Sequence, residues 1–443
     1  MWNESRTLWY LSSFRVFYHP PPVSSLTGKA CQFSPLSSSD SLKKKIPVEE
    51  ISYWKHDTEY AMAQTENAQT LPMLFTRGTH YEVGHSIGSV FLEQIQKYFS
   101  SSNIVQSFLL PFYNTNKGRD IFAEYQKAAE ICFPQYVTEI RGMSDGSGMP
   151  FENLFLLNIA KEVQIVHFAE IKHELHGCST VLLNTPDMKI MAHNEDCDPM
   201  INPYRYVVSA NIVDPEAQTG TVTHKEEQFT SFSYPGMLPG YAFGFNKHGI
   251  VFTINAIHPL KASIGSPPVG LISRAFLSAS DVDELVRIAR NDGHGSADAF
   301  NLNIASLNHK EMWSVEVGPG KPESPLKLTT ITEQVDPDKP CHYYHFNQYQ
   351  HLEGIEQNLI YPSSFARAKR AEELVPPRTI KDVKAMLGDT QNNKLPIFRR
   401  PNNIDLSITA CTVVFDILQK TMEIYVENPN MGNAPLLKLP LTF

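Results

Sequence analysis

The chain reads as a single layered α/β domain with its sheets on the inside, and three observations predict this. Helical periodicity runs from about Tyr81 to Val163, strand-like patterning takes over at Gly177, and two later helical stretches give way again to strands. Helices, then antiparallel-type strands, then helices, then strands is the order expected when helical layers cover packed sheets. The 443 residues allow one large domain or two to three small ones, and an apolar fraction of 42% is ample for a buried core. There is no internal repeat.

Residues 1–70 stand apart. They are rich in Ser, Pro and aromatics ("HPPPVSSLTG", "SPLSSSDSLKKK") and lack sustained periodicity, so a poorly ordered leader is expected there. The opening "MWNESRTLWYLSSF" carries a charge inside its only apolar stretch, unlike a secretory signal. From Leu71 the pattern is globular. In "YEVGHSIGSVFLEQIQKYF" the residues Val83, Ile87, Val90, Phe91, Ile95 and Phe99 fall near helical spacing. "RDIFAEYQKAAEICFPQYVTEIRGM" predicts a second helix, bent or broken at Pro134. "GMSDGSGMP" is read as a Gly-rich connection, because no strand precedes it and no G-K-[ST] follows. Pro150 suits the first turn of a third helix, "PFENLFLLNIAKEV".

Six strands are expected after Gly177: "CSTVLLN", "KIMAHN", "RYVVSANIV", "TVTHKEEQFTSFSY", "YAFGFN" and "GIVFTINAI", with His248-Gly249 at a hairpin tip. "PVGLISRAFLSA" and "SDVDELVRIARN" are helical, "FNLNIASLN" and "EMWSVEV" are strands, and "SSFARAKRAEELV" is a helix. "LSITACTVVFDI" and "TMEIYVEN" close the domain as strands.

Composition excludes several classes of function. The net charge of −9 with no Lys/Arg stripe argues against nucleic acid or an anionic membrane as partner. No apolar run approaches the twenty or so residues that a membrane-spanning helix needs. The six cysteines (Cys31, Cys132, Cys178, Cys197, Cys341 and Cys411) are scattered without a C-x-x-C pair, so a reducing, cytoplasmic setting is expected rather than a disulfide framework or a thiolate zinc site. "HELH" is one residue short of the H-E-x-x-H zinc pattern, and "HYYH" reads as packing and surface polarity.

The chemistry centres on "HELHGCSTVLLNTPDMKIMAHNEDCDP". If "TPDM" turns tightly, Thr185 faces Met188, and paired residue numbers sum to about 373. Cys178 then lies opposite Glu195, with Asn194 and Asp196 flanking; the register decides which of the three points inward. A thiol needs a base. His173 or His176, His193, and the α-amine that would be freed by cutting between Gly177 and Cys178 are the candidates. The last accounts for the glycine, since a small flexible residue lets the backbone deform for an N-to-S acyl shift.

"GCST…AHNEDCD" resembles the N-terminal-nucleophile hydrolases of the acyl-coenzyme A:6-aminopenicillanic acid acyltransferase type. The likeness continues in order through "GFNKHGIVFTINA", "AFNLNIAS", "HFNQYQ", "SSFARAKRAEELV" and "TACTVVFDILQKTMEIYVENP". "LFTRGTHYEVGHSIG", "LLPFYNTNKGRDIF" and "FPQYVTEIRGMSDG" are similar to the arthropod branch that hydrolyses N-β-alanyl amines. The resemblance implies a four-layer αββα sandwich over 71–443 with mainly antiparallel sheets, self-cleaved at Gly177/Cys178 into two chains that stay together. It implies Cys178 as nucleophile, Asp196 as the acid holding the new α-amine, Asn301 as oxyanion donor, and Arg367 as a positioning group at the site. Asn255 ranks second as oxyanion donor, and Asn255 and Asn194 are expected to line the substrate site. It implies no metal or organic cofactor, and a small N-acylated amine as substrate, N-β-alanyl-dopamine or N-β-alanyl-histamine first. Acyl transfer from an acyl-CoA and a non-catalytic scaffold are the alternatives. One departure stands out: Cys197 follows the acid where many relatives carry an aromatic residue.

Overall fold

The computed structural model describes residues 70–443 except 168–176, 337, 340 and 358–361, and these fall in one compact unit. The expected leader, His173 and His176 lie outside the described residues, apart from Thr70 at the leader's end. The strands are β1 (Met73–Gly78), β2 (Gly177–Thr185), β3 (Met188–Cys197), β4 (Tyr206–Val213), β5 (Glu226–Ser233), β6 (Phe243–Asn246), β7 (Ile250–Ala256), β8 (Phe300–Ser306), β9 (Met312–Val317), β10 (Leu326–Ile331), β11 (His342–His345), β12 (Ile408–Asp416), β13 (Thr421–Tyr425) and β14 (Leu437–Pro440). The helices are α1 (His80–Val90), α2 (Leu92–Ser101), α3 (Leu110–Tyr113), α4 (Asn116–Cys132), α5 (Pro134–Ser147), α6 (Phe151–Asn158), α7 (Ala160–His167), α8 (Val269–Phe276), α9 (Val282–Arg290), α10 (Pro362–Glu373) and α11 (Ile380–Leu387).

Two sheets result. One has eight strands in the order β1-β4-β5-β6-β7-β8-β9-β10, and the other six in the order β11-β2-β3-β12-β13-β14. Every pairing is antiparallel except β1 with β4. The period of two along β2 shows how the layers stack. Thr180 reaches across to Asn255 of β7, while Val181 and Leu183 pack with Ala371 of α10 and Val383, Met386 and Leu387 of α11. On the far side Phe252 of β7 meets Phe276 of α8 edge-on, with ring centroids 5.7 Å apart. Helices, sheet, sheet, helices: the fold is an αββα sandwich, as expected. Because β2 and β3 are covered on both faces, they read as almost continuously buried runs rather than as alternating ones.

The β2–β3 hairpin has the expected register, with Thr185 opposite Met188 and Cys178 opposite Glu195. The stretch read as a connection at 142–150 is different. Helix α5 runs on through Gly142 and Gly146 to Ser147 and stops only at Gly148, which takes a left-handed φ of 66°. These glycines are interface residues. A Cβ on Gly142 would lie 2.1 Å from the Tyr81 carbonyl oxygen, and one on Gly84 of α1 would lie 2.0 Å from that of Glu139. The two helices therefore touch backbone to backbone, and packing overrides the low helical propensity of glycine. The single helix expected over 81–99 is divided at Phe91 into α1 and α2. The chain breaks at Phe133, before Pro134, as proline requires. "HYYH" forms edge strand β11 beside β2, and its last residue, His345, is fully buried.

Candidate active site

Cys178 is the second residue of β2. Its position is set from both sides of the sheet. On the inter-sheet side its Sγ lies 3.5 Å from Oε2 of Glu195. On the helix side Arg367, from the second turn of α10, donates from Nη1 to the Cys178 carbonyl oxygen at 2.6 Å and to Ser179 Oγ at 2.9 Å. Its Nη2 donates to Asn347 Oδ1 at 2.7 Å, and the same oxygen accepts the backbone N–H of Cys178 at 2.9 Å. Asn347 in turn is fixed by donating from Nδ2 to the Ala256 carbonyl and by its own N–H on Ser364 Oγ. Both peptide groups that flank the Cys178 α-carbon are thus clamped, one at N–H and the other at C=O. Arg367 is fully buried and presents several donors in a rigid fork, a geometry that lysine lacks.

Glu195 is equally constrained. Tyr234 donates its hydroxyl to Oε1 at 2.6 Å, and His193 Nε2 lies 3.0 Å from Oε2. His193 Nδ1 is 2.8 Å from Thr180 Oγ1, which also donates to Asn255 Oδ1 at 2.8 Å. The chain of contacts runs Cys178–Glu195–His193–Thr180–Asn255, and all five residues are buried. Burial pushes the Cys178 thiol well above its ordinary pKa, and the neighbouring Glu195 and Asp196 carboxylates push it further. The Ala256 backbone N–H and Arg367 pull the other way. In these surroundings the sulfur is held as a protonated thiol.

Parity along β3 sorts the other expected residues. Glu195 shares the face of the thiol, so Asn194 and Asp196 leave the sheet on the helix side. Asn194 ties layers together: its Nδ2 donates to the carbonyls of Leu387 and Ile397, and its Oδ1 accepts from Thr412. Asp196 lies opposite Gly177 in the ladder, accepts from Thr409 Oγ1 at 2.7 Å, and stands 3.5 Å from Nη1 of Arg399, which is itself bound to Asp405. Burial raises the Asp196 carboxyl to about 7, with Arg399 and Arg367 opposing the rise. Asn255 and Asn301 face each other across β7 and β8. The Asn255 amide is spent on Thr180, Asn303 and the His345 carbonyl, whereas Asn301 donates to Ser314 Oγ at 2.7 Å and keeps a buried Oδ1 without a hydrogen-bond partner. Neither amide is engaged with the sulfur through these bonds.

Glu195, Tyr234 and Asn347 are additions to the residues picked from sequence. Asn347 stands inside the quoted "HFNQYQ", and Glu195 was one parity step away. The Cys178, His193 and Glu195 donor atoms lie within 4.8 Å of one another, the one cluster of metal-ligand type among the described residues, but its members are already bonded to each other.

The sequence matches known proteins. The pattern of the acyl-coenzyme A:6-aminopenicillanic acid acyl-transferase family matches residues 183–431, more than half of the chain. The matched span contains Asp196, Asn255, Asn301 and Arg367 and begins just after Cys178. Beta-alanyl-dopamine/carcinine hydrolase of Drosophila melanogaster is 34% identical over 385 residues, which is 85% of this chain and 97% of that one. The chain belongs to this family. It is an amide-bond hydrolase built on an αββα sandwich. Among solved structures, penicillin V acylase from Agrobacterium tumefaciens aligns at 12% identity with a TM-score of 0.32, over 56% of this chain and 82% of its own.

Proposed function

We propose that this chain is a cysteine amidohydrolase that first cuts its own backbone between Gly177 and Cys178 and then cleaves small N-acyl amines, with N-β-alanyl-dopamine and N-β-alanyl-histamine as first candidates. The observation that carries the reading is the double clamp on Cys178. Asn347 and Arg367 hold the backbone on either side of its α-carbon, on the helix side, while the sulfur looks into the inter-sheet space. A residue held this way stays in register after the bond before it is broken. The freed α-amine, with an ordinary pKa of about 7.7–8.0, is then a base on the same residue as the thiol.

In the mature enzyme the α-amine takes the thiol proton and Sγ adds to the substrate carbonyl. Asn301, turning its amide from Ser314, and the Ala256 N–H are the candidate oxyanion donors. Such a donor is typically worth about 3–4 kcal/mol of barrier. Asp196 receives the new ammonium from its position opposite Gly177. A cation born there favours the ionised carboxylate and draws its pKa back below about 7. The amine product leaves protonated and water hydrolyses the thioester. Asn255 holds the inner wall of the site through Thr180, and Asn194 holds the strand that carries Glu195.

Kinship to a beta-alanyl-dopamine/carcinine hydrolase supports the choice of substrate, and the family's own description keeps acyl transfer in view. Purified protein incubated with the two β-alanyl amines is expected to release dopamine or histamine, and Cys178→Ala is expected to release neither. CoA release from an acyl-CoA without hydrolysis of these amides would identify a transferase instead. Intact mass is expected to show two fragments, 1–177 and 178–443, of roughly 20 and 30 kDa at about 110 Da per residue. A single full-length mass with no activity would identify a scaffold.

A further inference from the structure

The maturation reading raises a problem of timing. The α-amine cannot assist the cut that creates it. In the uncut chain the Cys178 nitrogen is an amide whose N–H is donated to Asn347, so it has no basic lone pair. Yet the sulfur must lose a proton to attack the Gly177 carbonyl carbon, and its surroundings hold that proton in place. Another base has to act first.

The geometry points to Glu195 as the base of the first cut, a role that rests on the maturation reading above. Among the described residues its Oε2, 3.5 Å from Sγ, is the carboxylate oxygen within hydrogen-bond reach of the thiol, and its side chain shares the face of the sulfur. Asp196 projects to the opposite face, where Thr409 and Arg399 hold it. His345 is committed to Glu316 and to the Phe346 carbonyl. His193 reaches the thiol only through the same Oε2.

The surroundings of Glu195 favour the role. Tyr234 and His193 grip one oxygen each, so the carboxylate cannot swing away from the sulfur. Hydrogen-bond accounting also orients His193. Asn303 and the His345 carbonyl fix the Asn255 amide with its oxygen toward Thr180. Thr180 gives its single proton to that oxygen, so the bond between Thr180 and His193 must use the proton on Nδ1. Nε2 then faces Oε2.

The step balances. Oε2 takes the S–H proton as Sγ bonds to the Gly177 carbonyl carbon. As the carbon–nitrogen bond breaks, that proton passes to the departing nitrogen, which becomes the α-amine and leaves Gly177 as a thioester on Cys178. Water then adds to the thioester, which gives the Gly177 carboxyl group and restores the thiol. Glu195 finishes as it began, and the new amine takes over as the base for later turnovers.

Time courses of intact mass on the full-length protein test this. Wild type is expected to be isolated as two fragments. Glu195→Gln is expected to remain largely full-length and to convert at least about 100-fold more slowly, within the usual range for loss of a general base. Formate added to Glu195→Ala, which has room for it, is expected to restore cutting in proportion to its concentration. A merely structural role would not produce that response. Circular dichroism confirms that both variants fold. Cutting of Glu195→Gln at the wild-type rate overturns the assignment, and so does a folded Glu195→Ala that formate leaves uncut. A wild-type chain that is never cut removes the maturation reading itself, and with it any first cut to assign.

Discussion

At the scale of single residues, the site is organised around which face of a strand each side chain takes. Cys178 and Glu195 look between the sheets, while Ser179, Asn194 and Asp196 look toward the helices. Arg367 belongs to the helix side and acts on the sulfur only through the backbone it holds. This leads to a specific expectation for Arg367→Lys. A lysine keeps the charge but not the fork, so the Cys178 carbonyl, Ser179 Oγ and Asn347 Oδ1 cannot all be served. The variant should fold, cut itself more slowly, and lose about 10- to 100-fold in kcat with little change in KM, because geometry rather than substrate contact is lost. Steady-state kinetics on a β-alanyl amine check it, and a raised KM with unchanged kcat would count against a positioning role. The proposed nucleophile could be picked from sequence because a glycine, a thiol and the start of a strand coincide there. Glu195 was not singled out because, with a period of two, a register uncertain by one residue moves a side chain to the other face.

At the scale of elements, legibility followed local signals. The β2–β3 hairpin could be read in full because "TPDM" fixes the turn and the turn fixes every pair after it. The short edge strands β1, β10, β11 and β14 could not, since four to six residues at the margin of a sheet carry little pattern. Helix α11 carries a local signal, a capping box between Thr379 and Asp382, on only eight residues. The α1–α5 contact shows a deeper limit. Gly142 and Gly146 look like loop residues alone and become helix residues only against Gly84 and Gly88, more than fifty positions earlier. Gly142→Ala tests this. The added methyl would meet the carbonyl oxygen of Tyr81 and the amide of His85, backbone atoms that cannot step aside. A loss of about 1–3 kcal/mol is expected, toward the upper end, read from the denaturant midpoint of the full-length protein. An unchanged midpoint would show that the helices do not meet this closely.

At the scale of the whole molecule, the proposed cut after residue 177 would divide the fold unequally. Strand β1 and helices α1–α7 go to one piece, and all other elements to the other. What joins the pieces is therefore decisive, and much of it is buried charge. Arg274 of α8 binds Glu139 of α5 at 3.0 Å and Glu227 of β5 at 2.7 Å, with all three side chains fully buried. Tyr136 donates to Glu227, and His80 lies 3.3 Å from Glu139. Lys161 of α7 adds a 2.7 Å pair with Asp298, and β1 adds a parallel ladder to β4. These contacts were invisible in sequence, because nothing local distinguishes a buried arginine from a surface one. They predict that the two fragments elute together from a sizing column near the 50.0 kDa of the intact chain, or a multiple of it, and separate only on denaturation. Arg274→Met isolates their contribution. Methionine fills the space but leaves Glu139 and Glu227 as buried carboxylates without their cation, a loss that typically costs about 3–5 kcal/mol. The fragments of this variant should part at a clearly lower urea concentration than those of wild type, while Cys178→Ala carrying the same change, still one chain, should lose stability without dissociating. If the cut wild-type fragments drift apart in buffer, the two halves are not bound by this cluster, and the proposed noncovalent pair fails.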